Sequence, residues 1–153
     1  MSQAKNLHFD GTERYYLDPE LKAIVNMALA MEKPLLLTGE AGTGKTQLAL
    51  EVARALDLDT EILRAKSTIK GEEAGYVQDT VLRLNDARFG SGETGRAVDN
   101  FFDYIIWGPI GRAFRAGKKV VLLLDAIDKT ESDVQANLLD VLEECEFTIR
   151  EVN

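Results

Sequence analysis

The sequence predicts an α/β fold with a mainly parallel sheet, on three observations. Short apolar runs at residues 35–38, 61–65 and 120–124 have the length and character of buried strands. Segments with apolar residues at helical spacing alternate with those runs. The first run ends abruptly in a glycine-rich octapeptide that leads straight into a helical pattern. The chain has 153 residues, enough for one domain with a real core.

Asp18, Pro19 and Glu20 form a helix start, with an acidic N-cap and proline at the first helical position. Leu21, Ile24, Val25, Ala28 and Leu29 then recur on one face, Met27 and Met31 read as packing, and Pro34 closes the segment. The strand at 35–38 comes next. A helix from about Gly44 to Leu56 places Leu48, Ala49, Val52, Ala53 and Leu56 together. The second strand is 61–65. Residues 66–95 show little periodicity and read as long loops. Residues 97–107 read as a helix, with Val98, Phe101, Phe102, Ile105 and Ile106 on one side. Gly108 and Pro109 break it, and a shorter helix runs through Phe114. The strand at 120–124 is followed by a helix over 132–144, with Val134, Leu138, Leu139, Val141 and Leu142 turned inward. Phe147, Thr148 and Ile149 alternate as a further strand would begin.

Composition narrows the function classes. A net charge of −8 argues against non-specific nucleic-acid binding, which leans on a Lys/Arg surface. The longest aliphatic run is far too short to span a bilayer. The first ten residues lack the pattern of a signal peptide. The single cysteine, Cys145, stands between Glu144 and Glu146, which disfavour a reactive thiolate. These features predict a cytoplasmic protein.

The octapeptide Gly39-Glu40-Ala41-Gly42-Thr43-Gly44-Lys45-Thr46 fits G-x-x-x-x-G-K-[ST]. Its glycines let backbone N–H groups turn inward to cradle phosphate oxygens, and the next helix adds free donors and its positive dipole end. Lys45 supplies a point charge for the β- and γ-phosphates. The Thr46 hydroxyl is a Mg²⁺ ligand. At average glycine usage a chance match in such a chain is on the order of one in a hundred, and the strand before and helix after sharpen it. The run at 120–124 delivers Asp125 at a strand's C-terminal edge. About 80 residues after a phosphate loop, such an Asp is the second Mg²⁺ group. The two motifs predict a nucleoside triphosphate and Mg²⁺ as ligands of a P-loop protein.

At these residues the chain resembles AAA+ ATPases, and within them the MoxR-related branch. The carriers are residues 34–46, Lys66-Ser67-Thr68, Asp86-Ala87-Arg88-Phe89-Gly90, residues 122–129, Asn137-Leu138-Leu139 and residues 144–149. The resemblance implies a three-layer α/β/α sandwich and nucleotide contacts from Gly39 to Gln47 and at Tyr16. It also implies homo-oligomeric rings, usually hexamers, that couple ATP hydrolysis to remodelling or maturation of client proteins. Tyr15, Tyr16 and Leu17 lie where the family covers the adenine, with packing an equal alternative. Lys66, Lys70, Glu72, Glu73 and Tyr76 lie where the family has pore loops, against a solvated loop. Arg83, Arg88 and Arg96 read as surface rather than a subunit boundary.

The sequence departs from the family in two places. Where the family has Asp-Glu-x-Asp-Lys, this chain reads Asp125-Ala126-Ile127-Asp128-Lys129. The absent Glu polarises the attacking water in the family. Alanine cannot, so the resemblance implies intact binding and impaired hydrolysis, with Asp128 at a different family position. An engineered replacement that traps the ATP state is favoured over a naturally hydrolysis-poor chain. Second, the family's sensor strand, arginine finger and helical lid are not found within residues 1–153, so the expected nucleotide-binding core is partial. An alternative without turnover is a nucleotide-dependent assembly switch. The Lys129 region and the loop after Lys66 argue against a small-molecule kinase or GTPase, and a GTPase's Asn-Lys-x-Asp element is not found in the sequence.

Overall fold

The computed structural model describes residues 7–65, 71–146, 148, 149 and 151. Helix α1 spans Pro19–Met31, and the Asp18 carboxylate accepts from the N–H groups of Glu20 and Leu21, as its N-cap position predicts. Helix α2 spans Lys45–Leu56. Strand β1, Asp59–Arg64, leads to a short helix α3, Gly71–Gly75, and to β2, Tyr76–Gln78. Helix α4 is Thr80–Phe89, β3 is Ile105–Trp107 and α5 is Pro109–Arg115. Strand β4, Val120–Asp125, and helix α6, Ser132–Glu144, complete the described elements.

Strands β1 and β4 pair in parallel, from Asp59 opposite Val120 to Arg64 opposite Asp125. Strand alternation puts Leu63, Leu122 and Leu124 on one face. There Leu63 joins Ala74, Ile110 of α5 and Val134 and Leu138 of α6 in a buried cluster, with Leu122 and Leu124 packed against it. Helix α2 also packs on β1 and β4, but its Leu48 and Val52 belong to a second cluster with Phe9, Leu17 and Val25. Burying such side chains contributes about 25 cal/mol for each Å² of apolar surface removed from water, so the first cluster fixes α6 against the sheet and the second fixes α2 against α1 and the segment before it.

Several sequence expectations need correction. Residues 35–38 form no ladder among the described residues, and Leu36 is 77% exposed, because no strand lies beside them there. Residues 97–107 are not a helix. A 3₁₀ turn at Phe101–Tyr104 passes into β3, which pairs antiparallel with β2. The β-branched and aromatic Ile105, Ile106 and Trp107 find a strand partner, and that outweighs their helical spacing. The supposed loop at 66–95 contains α3, β2 and α4, the last capped by Asp79, whose carboxylate accepts from Leu82 N at 2.8 Å. Met27, Met31 and Leu139 are exposed rather than packed, for nothing described covers those helix faces. Thr148 and Ile149 are not in a strand, while residues 66–70 and Phe147 lie outside the described residues.

The chain leaves at Gly75 and returns at Gly108, whose N–H donates to Gly75 O at 2.9 Å. Helices α3 and α5 meet backbone to backbone at this neck: a Cβ on Gly111 would stand 2.2 Å from Gly75 O. The excursion between them is braced by a buried polar centre. Arg96 Nε and the Tyr104 hydroxyl both donate to Asp86 Oδ2, at 2.8 and 3.1 Å. Arg96 is thus a half-buried internal partner, not the surface group expected, and Tyr76 is buried against Phe101 and Trp107 rather than in a solvated loop.

Candidate nucleotide site

The site is built where the start of α2 meets the end of β4. Residues 35–38 deliver the Gly39–Thr46 loop, and β4 delivers Asp125. The loop is braced internally, with Thr43 Oγ1 donating to Glu40 O at 2.9 Å. The Lys45 ammonium crosses it, donating to Gly39 O at 2.8 Å and Glu40 O at 2.6 Å. Gly44 is the N-cap of α2, at φ 91°, a left-handed conformation that strains other residues. It has no side chain to occupy the helix's first N–H groups, which leaves those donors and the dipole's positive end open to an anion.

The two motifs meet directly. Thr46 Oγ1 donates to Asp125 Oδ1 at 3.1 Å, across 79 residues of sequence. The β1–β4 register holds Asp125 from the other side, where Ala65 N donates to Asp125 O at 2.8 Å. A hydroxyl and one carboxylate beside a phosphate cradle match Mg²⁺, which binds through one or two protein oxygens together with phosphate and water. A magnesium nucleotide therefore fits these residues: Lys45 and the loop N–H groups would hold its phosphates, Thr46 and Asp125 its metal. The metal supplies charge neutralisation of the phosphates.

Ala126 comes next at φ 59°, ψ 42°, left-handed for a residue with a Cβ. This conformation costs roughly 1–2 kcal/mol. The downstream turn holds it: Lys129 N donates to Ala126 O at 3.0 Å, and buried Thr130 donates through Oγ1 to Ile127 O at 2.7 Å. The Ala126 methyl group can neither accept a proton nor orient water. Asp128 and Lys129 are exposed.

Tyr16, one of the expected nucleotide contacts, is 88% exposed. Its neighbour Tyr15 reaches the cradle: a Cβ on Gly44 would stand 3.2 Å from Tyr15 Cε2 and 3.4 Å from its hydroxyl. Gln47 turns along α2, and its Nε2 donates to Glu51 Oε1 at 3.0 Å. Glu51 was not among the residues singled out by sequence. It is only 3% exposed, and it accepts from Thr12 Oγ1 at 2.6 Å and from Arg54 at 2.5 Å. The Arg54 guanidinium, then the Thr12 hydroxyl, hold its carboxyl below the usual range against the opposing effect of burial. The available signal was its place on the apolar stripe of α2, three residues after Leu48. A cleft of about 330 Å³ lined by Thr12, Glu13, Arg14, Arg54 and Ala55 borders this clasp but includes no residue of the cradle.

Among the described residues, no helix is long and apolar enough to cross a membrane. Comparison with known proteins gives a family match. The family model described as AAA domain (dynein-related subfamily) matches residues 34–153, from just before the cradle to Asn153. No curated protein and no solved structure matches the chain.

Proposed function

The chain belongs to the AAA domain family, dynein-related subfamily, and is an AAA+ ATP-binding protein; we propose that it binds Mg²⁺-ATP at 39–46 and Asp125 and is arrested before hydrolysis by Ala126. The observation that carries this reading is the Thr46–Asp125 hydrogen bond, which joins the phosphate loop to the β4 carboxylate. Lys45 stabilises phosphate charge, Asp125 and Thr46 take the metal, and position 126 lacks the group that would polarise water. General-base assistance is worth roughly 10²–10⁴ in rate, so turnover is cut by about that factor.

The finer reading is a MoxR-like ring protein, a cytoplasmic homo-oligomer, usually hexameric in that branch, whose parent activity drives remodelling or maturation of client proteins. The motif at 86–90 supports that branch; no client is written in these residues. Ala126 also favours a second reading, a switch or scaffold that assembles on ATP without turnover. The open edge at 35–38 and exposed Leu36 support a three-layer sheet in which the family's sensor strand lies beside those residues.

The test compares the protein with its Ala126→Glu variant, in a chain that carries the remaining elements. Both should bind Mg²⁺-ATP, and phosphate release should appear only in the variant. Size measured with and without ATP separates the two readings. ATP-dependent assembly with no hydrolysis in either form selects the switch, and absence of Mg²⁺-ATP binding sinks both.

A further inference from the structure

We propose that Glu51 is a positioning residue for the phosphate cradle, acting through the Thr12–Tyr15 turn to hold the Tyr15 ring against Gly44. The inference rests on the nucleotide reading above and adds a device to it. Its first support is the cost of the carboxylate itself. Helix α2 buries Leu48, Val52 and Ala53, and an aliphatic residue at 51 would extend that stripe. A buried carboxylate there is tolerated only with its lone pairs satisfied. Gln47 and Arg54 satisfy it from within the helix, and Thr12 reaches it from a distant part of the chain.

The second support is that Thr12 and Tyr15 are joined backbone to backbone. Thr12 N donates to Tyr15 O and Tyr15 N to Thr12 O, both at 3.2 Å, and Arg14 N donates to Thr12 Oγ1 at 3.2 Å. A side chain anchored at Thr12 therefore fixes the backbone of Tyr15. The flanks are anchored as well. Phe9 and Leu17 are buried in the α2 cluster, and Asn26 accepts from Phe9 N and donates to Phe9 O, each at 2.8 Å.

The third support is where Tyr15 ends up. Gly44 is both the left-handed N-cap of α2 and the residue before Lys45. Seven residues separate Gly44 from Glu51, about 10 Å along the helix. The turn thus grips α2 at two levels, by ion-assisted hydrogen bonding at 51 and by ring contact at 44. Glycine at 44 has wide conformational freedom of its own. The ring narrows it and keeps the helix N-terminus aimed into the loop. Such preorganisation is read as affinity.

The test is titration of a fluorescent ATP analogue with Mg²⁺, at a temperature where thermal melts show every variant folded. Glu51→Gln and Thr12→Val should each weaken binding about three- to ten-fold, the size of one hydrogen bond's loss. Thr12→Ser, which keeps the hydroxyl, should bind as the parent does. The double variant Glu51→Gln/Tyr15→Ala should bind no more weakly than Tyr15→Ala alone, because both act through one contact. Unchanged affinity in Glu51→Gln and Thr12→Val, with only a lower melting temperature, overturns the inference, and so do losses that multiply in the double variant. Should Glu51→Gln fail to fold, the Thr12→Val and Thr12→Ser pair decides alone. A parent that binds the analogue and loses it on Lys45→Ala, beside indifferent Thr12 and Glu51 variants, overturns this inference while leaving the nucleotide reading intact. A parent that binds nothing overturns both.

Discussion

Two strand-like runs end at the nucleotide site, and they fare differently. Residues 120–125 are Val-Val-Leu-Leu-Leu-Asp, and every one is half-buried in a six-pair parallel ladder with β1. Residues 35–38 are Leu-Leu-Leu-Thr, just as apolar, yet they have no described ladder and Leu36 stands in solvent. Only Leu37 packs on the core. An apolar run records a segment's need for cover, whereas a strand also needs a neighbour to take its N–H and C=O groups. The cradle is consequently held from its C-terminal side. Helix α2 is buried at Leu48, Val52 and Ala53, and the Thr46–Asp125 bond ties its first turn to β4.

The largest expected effect breaks this comparison most directly. Leu63 of β1 is 6% exposed and pairs with Leu124. A charge buried there leaves an unpaired ion in an apolar cluster, so Leu63→Asp should cost more than about 4 kcal/mol and prevent stable folding. The same change at Leu36 should stay within about 0.5 kcal/mol. Urea unfolding of the two variants is the measurement. Equal losses would mean that 35–38 is covered after all.

A smaller effect tests whether α2 is the cradle's anchor. Leu48 is 3% exposed. Leu48→Ala should cost about 2–5 kcal/mol in stability, whereas Leu35→Ala, at a position 38% exposed, should cost clearly less. Next comes Lys45→Ala, which leaves stability nearly unchanged. It should weaken Mg²⁺-ATP binding by about 1.5–3 kcal/mol, the usual worth of a charged hydrogen bond. Calorimetric titration separates the two classes: an anchor residue moves the melting curve, and a ligand-facing residue moves the isotherm.

The same contrast explains which features were legible in the sequence. The site was readable where local rules govern it. Asp18 caps α1, Gly44 opens α2, and α6 runs from Ser132 to Glu144 as its periodicity indicates. The phosphate loop and Asp125 were found by spacing, and the fold brings Thr46 and Asp125 together. The sequence misleads where long-range partners decide. Ile105–Trp107 became a strand because Tyr76–Gln78, distant in sequence, lies beside it. Arg96 read as a surface charge, yet Asp86 and Tyr104 draw it into a buried centre. Glu51 gives no such signal because its outside partner, Thr12, is 39 residues upstream.

The buried carboxylates Glu51 and Asp86 give the smallest prediction and set the two regions against each other once more. Glu51 serves the cradle side, and Asp86 serves the excursion between Gly75 and Gly108. Arg54 lowers the first, and Arg96, as its leading cause, lowers the second. A carboxyl held below its ordinary value binds fewer protons folded than unfolded near that value. Its contribution to stability is therefore complete above about pH 4–4.5, where the unfolded group is ionised, and is lost as pH falls through the lowered folded value. Stability measured by urea should hold from neutrality to that point and then decline. Glu51→Gln and Asp86→Asn should each flatten the acid limb, since each removes one linked proton. Trp107, the sole tryptophan, packs beside Tyr76 at the base of the excursion, so its fluorescence reports that region. If the excursion opens on its own in acid, the tryptophan signal should change before the far-ultraviolet signal of the helices, and Asp86→Asn should loosen the excursion already at neutral pH and make that loosening less dependent on pH, while Glu51→Gln leaves the early change in place. Coincident transitions in the parent and both variants would make the molecule one cooperative unit across the Gly75–Gly108 neck.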